Sequence, residues 1–353
     1  MTTLETITAE DLQNRTYEPT HFLADELIPE GLHILAGAPK IGKSWLALWL
    51  CLCVSQGQPL WNFATTQGEV LYLSLEDSFQ RIQTRLFDLT EDAPSTLHFA
   101  IMADTLKRGL EQQIEQFLTD HPDTKLVVID TLQRVRSAGS DSNLYANDYQ
   151  DIGLLKNLAD KQHIAILLIH HLRKLHDDDP MNMISGSTGL SGAADSTFVL
   201  QKNSRLANIA SLHCTGRDIP DRTLKLELGE DDHVWKLLAD SKTCSSASKI
   251  SALQLVYLLS DLLRADSEYL DSPSALSTKI DPDGSLGITP KKITRLVRES
   301  VAALRGNGIL ADTYRSNGKR RISLKRADSA DFLPVKTIGT IDPVGVPSAC
   351  TAP

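Results

Sequence analysis

The residues of this chain best suited to chemistry stand at the ends of short apolar runs. Lys43 and Ser44 come soon after HILAG, Glu76 follows VLYLSL, Asp130 closes KLVVID and His171 closes HIAILLIHH. From Gly37 to Ser44 the chain reads GAPKIGKS, the spacing G-x-x-x-x-G-K-[ST] of a phosphate-binding loop. Its glycines let backbone N–H groups approach phosphate oxygens, and a helix opening behind it adds the positive end of its dipole. In that pattern Lys43 reaches the β- and γ-phosphates and Ser44 holds Mg²⁺ through its hydroxyl. The expected ATP site is therefore Gly37, Ala38, Pro39, Lys40, Ile41, Gly42, Lys43, Ser44 and Trp45. Lys40 either assists at the phosphates or points to solvent.

A carboxylate at a strand end, as at Asp130, holds Mg²⁺ through a water beside a phosphate loop. Its plainer role would be to cap the turn at Thr131. Because residue 131 is Thr and not Glu, the group that activates water must come from elsewhere. Glu76 is placed to polarise a water in line with the γ-phosphate, while Asp77 is a candidate cap for the helix that follows. Of His170 and His171, strand alternation turns one inward; His171 is the expected phosphate sensor. A structural zinc site here lacks its ligand spacing, since His176 follows in the loop HLRKLHDDDP.

These positions imply the elements that must hold them. Strand and helix patterns alternate: HILAG (33–37), a helix from Lys43 to about Ser55, EVLYLSLE (69–76), a helical stretch over 78–86, LHFAIM (97–102), an amphipathic helix over 110–121, KLVVID (125–130), a helix near 148–162 and HIAILLIHH (163–171). Such alternation predicts an α/β fold with a mostly parallel sheet and helices on both faces, binding its ligand at the carboxyl ends of the strands. After Asp195 the pattern changes to short alternating strands, TFVLQK, NIASLHC and TLKLEL, with a possible last strand HVWKLL (233–238).

The bulk numbers exclude some classes. With 353 residues, 41% apolar and 23% charged, the chain has an ordinary globular composition. No apolar run of about 18 residues suggests a membrane span, and MTTLETITAEDLQ lacks the features of a signal peptide. Five scattered cysteines, Cys51, Cys53, Cys214, Cys244 and Cys350, fit small buried side chains in the reducing cytoplasm. The net charge of −9 hides an asymmetry: Leu286–Arg326 holds eleven Lys or Arg against only Glu299 and Asp312. The expected organisation is an N-terminal arm (1–30), an ATPase domain (31–240), a Ser-rich linker (241–249), a basic domain (250–326) and a disordered tail (327–353).

The basic domain has a winged-helix outline, three helical stretches and a hairpin turning at Ser316-Asn317-Gly318. Thr289 to Leu304 would be its recognition helix, carrying Lys291, Lys292, Arg295 and Arg298; Arg315, Lys319, Arg320 and Arg321 would decorate the wing. Such residues contact phosphates and make binding salt-dependent. A solvated basic face, or one that docks an acidic partner, is the competing reading.

The string as a whole resembles the RecA-like ATPases, and within them the RepA-type branch near the hexameric replicative helicases of plasmids and other mobile elements. The segments that carry the resemblance are LIPEGLHILAGAPKIGKSWLAL, VLYLSLEDSFQRIQTRL, LVVIDTLQRVR, IHHLRK, GSTGLSGAADSTFVL and CTGRDIP, across residues 20–240. The resemblance implies a homo-oligomeric ring, a hexamer, with ATP at its subunit interfaces. By analogy Arg217 would be an arginine finger on a neighbour's γ-phosphate, with Arg205 as the alternative. The loop GSTGLSG (186–192), including Ser187 and flanked by Arg173 and Lys174, would face single-stranded DNA in the channel. Two functions remain open at this level: an ATP-driven DNA motor, or a DNA-binding regulator controlled by its ATP state. An accessory that remodels another protein is a third.

Overall fold

Runs of Val, Ile and Leu without polar alternation make strands buried on both faces, and the computed structural model builds its main sheet on such runs. The structure describes residues 4, 6–15, 17, 19–136, 144–172, 180–184, 192–202, 204, 207–242, 252–265, 267–284, 286–316 and 318–327. The chain forms two compact units, one of Thr20–Ser246 and the other of Met1–Pro19 with Ala247–Pro353. The chain's first helix, α1 (Ala9–Asn14), belongs to the second of these.

In the larger unit, β1 (Phe22–Ala24) and β2 (Ile28–Pro29) form a short antiparallel ribbon. The sequence pattern assigns both to an arm whose apolar Phe22, Leu23, Leu27 and Ile28 would dock on the main domain or on a neighbouring copy; Leu23, Leu27 and Ile28 are buried in this unit's core. There follow β3 (Gly31–Gly37), α2 (Lys43–Gln56), β4 (Glu69–Ser74), α3 (Phe79–Leu89), β5 (Leu97–Ala100), α4 (Leu110–Asp120), β6 (Thr124–Asp130), α5 (Leu132–Val135), α6 (Leu144–Gln162) and β7 (Ala165–His171). The unit closes with β8 (Ser196–Lys202), β9 (Ile209–Gly216), β10 (Arg222–Leu228) and β11 (Trp235–Asp240).

The nine strands of the main sheet run β11-β10-β9-β8-β3-β7-β6-β4-β5. Every neighbouring pair from β8 to β5 is parallel, and β8 to β11 continue as an antiparallel meander. Period-two alternation splits each inner strand between two layers. Leu35, Tyr72, Val128 and Ile169 pack against Leu50, Cys51 and Val54 of α2. Ile34, Leu71, Val127 and Leu168 pack with Leu110 and Ile114 of α4 and Ile152 and Leu155 of α6. Cys51, Cys53 and Cys214 are free and buried, and burial pushes the Cys53 and Cys214 thiols up to about 12. Among the described residues no helix is long and apolar enough to cross a membrane.

The second unit adds α7 (Ala252–Ala265), β12 (Glu268–Asp271), α8 (Pro273–Ile280), α9 (Pro290–Glu299), α10 (Val301–Gly306), β13 (Ile309–Ser316) and β14 (Lys319–Arg326). Its sheet runs β12-β14-β13, antiparallel throughout. Ser272 and Thr289 cap α8 and α9 through their hydroxyls, each followed by proline in the first turn. The continuous helix expected over Thr289–Leu304 is broken at Ser300, which ends α9 with φ −106° and ψ 11°. Serine competes for nearby backbone groups and is poor in a helix interior. Strand β12 has no counterpart in the sequence reading. The linker from 243 and the tail from 328 lie outside the described residues.

Candidate nucleotide-binding site

The loop between β3 and α2 is shaped by what surrounds it. Gly42 has φ +106°, and a Cβ there would stand 2.9 Å from Trp235 Cζ2. A Cβ on Gly37 would meet the Leu200 carbonyl oxygen at 2.9 Å. Both positions therefore need glycine. Trp235, fully buried on β11, donates from Nε1 to the Gly42 carbonyl at 3.1 Å and accepts a 2.6 Å bond from Trp61 on its own carbonyl. A residue from the far edge of the sheet thus props the phosphate loop.

Lys43 Nζ donates to the carbonyls of Gly37 and Ala38 at 2.8 and 3.0 Å. Burial lowers its pKa to about 8, opposed by the nearby carboxylates of Asp130 and Glu76. Ser44 Oγ donates to Asp130 Oδ2 at 2.7 Å, and Tyr72 Oη donates to the same oxygen at 2.9 Å. Burial raises the Asp130 pKa, an effect that the two hydroxyl bonds oppose. Glu76 accepts from Thr131 Oγ1 at 3.2 Å and lies 3.7 Å from Arg134 Nε. The neighbouring Asp77 does not cap α3: Ser78 does. Asp77 instead binds Arg81 and Arg85 at 2.7 and 2.6 Å.

His171 lines the same cleft as Lys43, Ser44, Glu76 and Asp130. Burial, then the charge of Lys43, lowers its pKa, which favours the neutral ring. Its Nδ1 has no hydrogen-bond partner among the described residues. His170 is buried instead. Pro39, Lys40 and Ile41 line the cleft from the loop, with Lys40 at φ +62°. Trp45 stacks on His233 at 4.2 Å and carries the Arg85 guanidinium 5.5 Å from its ring centre. Lys202 and Tyr72 were missed by sequence reasoning. Lys202 lines the cleft from the carboxyl end of β8, beside β3, a position that alternation could have flagged. Tyr72 looks like one more core residue of an apolar strand.

Arg217 is not in this cleft. Ser196 pairs with His33 and with Gly216, whereas Leu200 pairs with Gly37, so Arg217 stands at the end of the sheet opposite the phosphate loop. There it donates to the Gly192 carbonyl at 3.1 Å and lies 3.5 Å from Asp195. Arg173, Lys174, Ser187 and Arg205 fall outside the described residues.

The basic residues of the second unit are differently placed. Lys291 and Arg295 are exposed. Lys292 donates to the Gly287 carbonyl at 3.3 Å. Arg298 donates from Nε to Thr313 at 2.6 Å and also bonds the Gln13 carbonyl of α1. Arg320 donates to Gln13 Oε1 at 2.9 Å, Arg315 lies 3.4 Å from Glu10, and Arg321 pairs with Asp271 at 3.1 Å. Helix α1 therefore lies over part of the surface that the sequence reserves for nucleic acid.

A P-loop opening a helix, inside a parallel sheet with carboxylates at the ends of neighbouring strands, defines a nucleotide-binding α/β ATPase domain. Residues 2–177 match the family model described as AAA domain. No curated protein matches the chain. Among solved structures, an isolated ATPase domain is similar at TM-score 0.50 and 18% identity, covering 60% of this chain and 85% of that one. A DnaB-like replicative helicase, solved in a study of its interactions with primase, is similar at TM-score 0.49 and 17% identity, covering 64% of this chain and 66% of that one. The chain carries an AAA-type P-loop ATPase domain over residues 2–177, and its fold is RecA-like.

Proposed function

We propose that this protein is an ATP-hydrolysing DNA motor that works as a ring, with each ATP held between two subunits. The observation that carries the reading is the composition of the cleft. It gathers Lys43, Ser44, Glu76, Asp130 and His171, yet its arginines, Arg81 and Arg85, are both committed to Asp77, and its Lys202 ammonium lies over the Trp235 ring at 5.2 Å. Charge developing on a transferred γ-phosphoryl group needs a further cation. Arg217, at the opposite end of the sheet, can supply one only to another copy.

In this reading Lys43 leaves the loop carbonyls for the phosphates, and Glu76 orients the attacking water and takes its proton. His171, neutral, is the sensor of the γ-phosphate at the end of β7. Ser44 and Asp130 present two hard oxygen donors 2.7 Å apart, a donor set that suits Mg²⁺. Bound there, Mg²⁺ would neutralise phosphate charge. The loop around Ser187, with Arg173 and Lys174, would follow single-stranded DNA in the channel, and a hexamer is the expected ring. Strand displacement tests this reading, with Lys43→Ala as the inactive control. Absence of both ATP-dependent unwinding and stimulation of ATPase by single strands would rule the motor out.

One observation favours a second reading, an ATP-controlled DNA-binding regulator. The contacts of α1 with Arg298, Arg315 and Arg320 cover part of a basic face whose Lys291 and Arg295 stay exposed. Exposed ion pairs such as Arg315–Glu10 contribute only about 0–1 kcal/mol, so DNA phosphates can displace them. If the face binds duplex, deleting residues 1–15 strengthens that binding and Arg295→Glu weakens it. Duplex affinity unmoved by either change would remove DNA from the role of this unit.

A further inference from the structure

A second cluster of ligating side chains lies away from the nucleotide cleft. Glu69 opens β4, the strand whose last residue, Ser74, pairs with Asp130. The cluster therefore sits at the amino ends of the strands, about 17 Å along β4 from the Asp130 level at roughly 3.3 Å per residue. Leu71 pairs with His98 on the outermost strand β5. Period two puts Glu69 and Leu71 on one face, with His98 beside them. That face is covered by α4, whose C-cap is His121. Two histidines, 29 and 52 positions beyond Glu69, are thus brought to one point with it by strand register and one helix end.

The contact is convergent. His121 Nδ1 lies 2.6 Å from Glu69 Oε2, and His98 Nε2 lies 3.1 Å from the same oxygen. The three possible ligand atoms are all within 4.8 Å of one another. Around a tetrahedral Zn²⁺, with bonds near 2.0–2.2 Å, neighbouring ligand atoms stand about 3.4 Å apart. The two His–Glu distances reach that spacing by opening less than about 1 Å, and the two ring nitrogens stand no more than 4.8 Å apart. Its framework is held already: Phe117 stacks on His121 at 4.3 Å and meets His98 edge-on at 5.3 Å. Glu69 N–H donates to the Asp123 carbonyl at 3.0 Å, and Thr124 Oγ1 to the His121 carbonyl at 2.7 Å. The side chains of Glu69, His98 and His121 are 24%, 29% and 31% exposed, which leaves water access to a fourth position.

We propose that Glu69, His98 and His121 form a three-ligand site for a divalent first-row transition ion, Zn²⁺ above all, with water in the fourth position, that ties edge strand β5 and β4 to the end of α4. Two imidazoles and one carboxylate suit Zn²⁺, whereas Mg²⁺ and Ca²⁺ prefer oxygen ligands only. The ion takes the place of the two N–H bonds that now meet on Oε2, so binding needs both ring nitrogens deprotonated.

The nucleotide-free 353-residue protein, stripped with a chelator, is titrated with Zn²⁺ against a chromogenic competitor. One Zn²⁺ per chain is expected at submicromolar affinity, unaffected by Asp130→Ala and weakened at least about tenfold by His98→Ala or His121→Ala. Zn²⁺ should also raise the thermal midpoint of the wild type and not of a variant carrying both His98→Ala and His121→Ala. Should the variants fail to fold, the wild type alone decides: Zn²⁺ should protect His98 and His121 from diethyl pyrocarbonate while the exposed His163 stays reactive. No submicromolar Zn²⁺ on the wild type, equal affinity in folded triad variants, or unprotected histidines would overturn the proposal and leave the triad as a hydrogen-bonded cluster only.

Discussion

Ser44 and Asp130, 86 residues apart, share a hydrogen bond of 2.7 Å from Oγ to Oδ2 across the head of the cleft. The bond joins the first turn of α2 to the end of β6, and Tyr72 adds a second donor to the same oxygen from β4. Three elements thus fix one carboxylate oxygen. If it orients Mg²⁺, Asp130→Asn and Ser44→Ala should each abolish Mg²⁺-dependent hydrolysis. Tyr72→Phe acts one step further out and should weaken Mg²⁺ dependence about 10- to 100-fold. Nucleotide affinity measured in chelator should change little in all three.

Glu76 stands apart from that oxygen, held by Thr131 and open to the cleft. If it is the base, Glu76→Gln keeps the shape and loses the proton acceptor. The turnover number should fall by roughly 10²–10⁴, with ATP still bound. An Asp77→Asn variant should instead release Arg81 and Arg85 and leave most of the activity. Single-turnover hydrolysis against equilibrium ATP binding separates the two.

The parts of this fold legible in the sequence are those with local signals. Strands β3, β4, β6 and β7 are apolar runs, and the loop pattern places Lys43 and Ser44 without tertiary knowledge. Residues defined by distant contacts were not legible. Trp235 supports Gly42 from 193 positions away, and nothing in HVWKLL announces it. The Glu69, His98 and His121 triad has no local ligand spacing, because strand register assembles it. Helix α1 has no apolar stripe to reveal what it lies on, since its contacts are polar. Ser300 breaks a helix whose charged and apolar periodicity runs straight through it.

The bond from Trp235 to Gly42 predicts a coupling between the sheet's edge strand and nucleotide binding. Trp235→Phe keeps most of the buried ring and removes the donor, at a cost of roughly 1–3 kcal/mol. ATP affinity should fall about tenfold beyond any effect of Trp61→Phe, which removes the bond to the Trp235 carbonyl and leaves the loop bond in place. Equal affinities for the two variants, by calorimetry, would show that the loop does not depend on this prop.

Lys43 gives the site a pH dependence. Its pKa in the empty protein is lowered from 10.5 to about 8, by burial first. Phosphates favour the ammonium, so binding raises that value. ATP affinity should therefore be flat below about pH 8 and fall above it, by at most tenfold per pH unit. For the empty protein the sign is reversed. Between about 8 and 10.5 the unfolded chain holds the proton more tightly, so this group adds stability as pH rises. Titrations with a non-hydrolysable analogue from pH 7 to about 10 read the first effect, and Lys43→Ala should abolish the slope.

Lys43 and Arg217 occupy opposite ends of one chain's sheet, and if two copies share an ATP site the pair is complementary between copies. Lys43→Ala removes the phosphate grip and keeps the arginine. Arg217→Ala keeps the grip and removes the arginine. Each alone should hydrolyse ATP at least about 10³-fold slower than wild type. Mixed before assembly, the two variants form some interfaces with Lys43 from one copy and Arg217 from the other, and hydrolysis should return to a measurable fraction of wild type. Co-sedimentation must show that the mixture assembles. If mixed assemblies form and hydrolysis does not recover, each subunit completes its own site, and the salt contact of Arg217 with Asp195 is then only a local support for the start of β8.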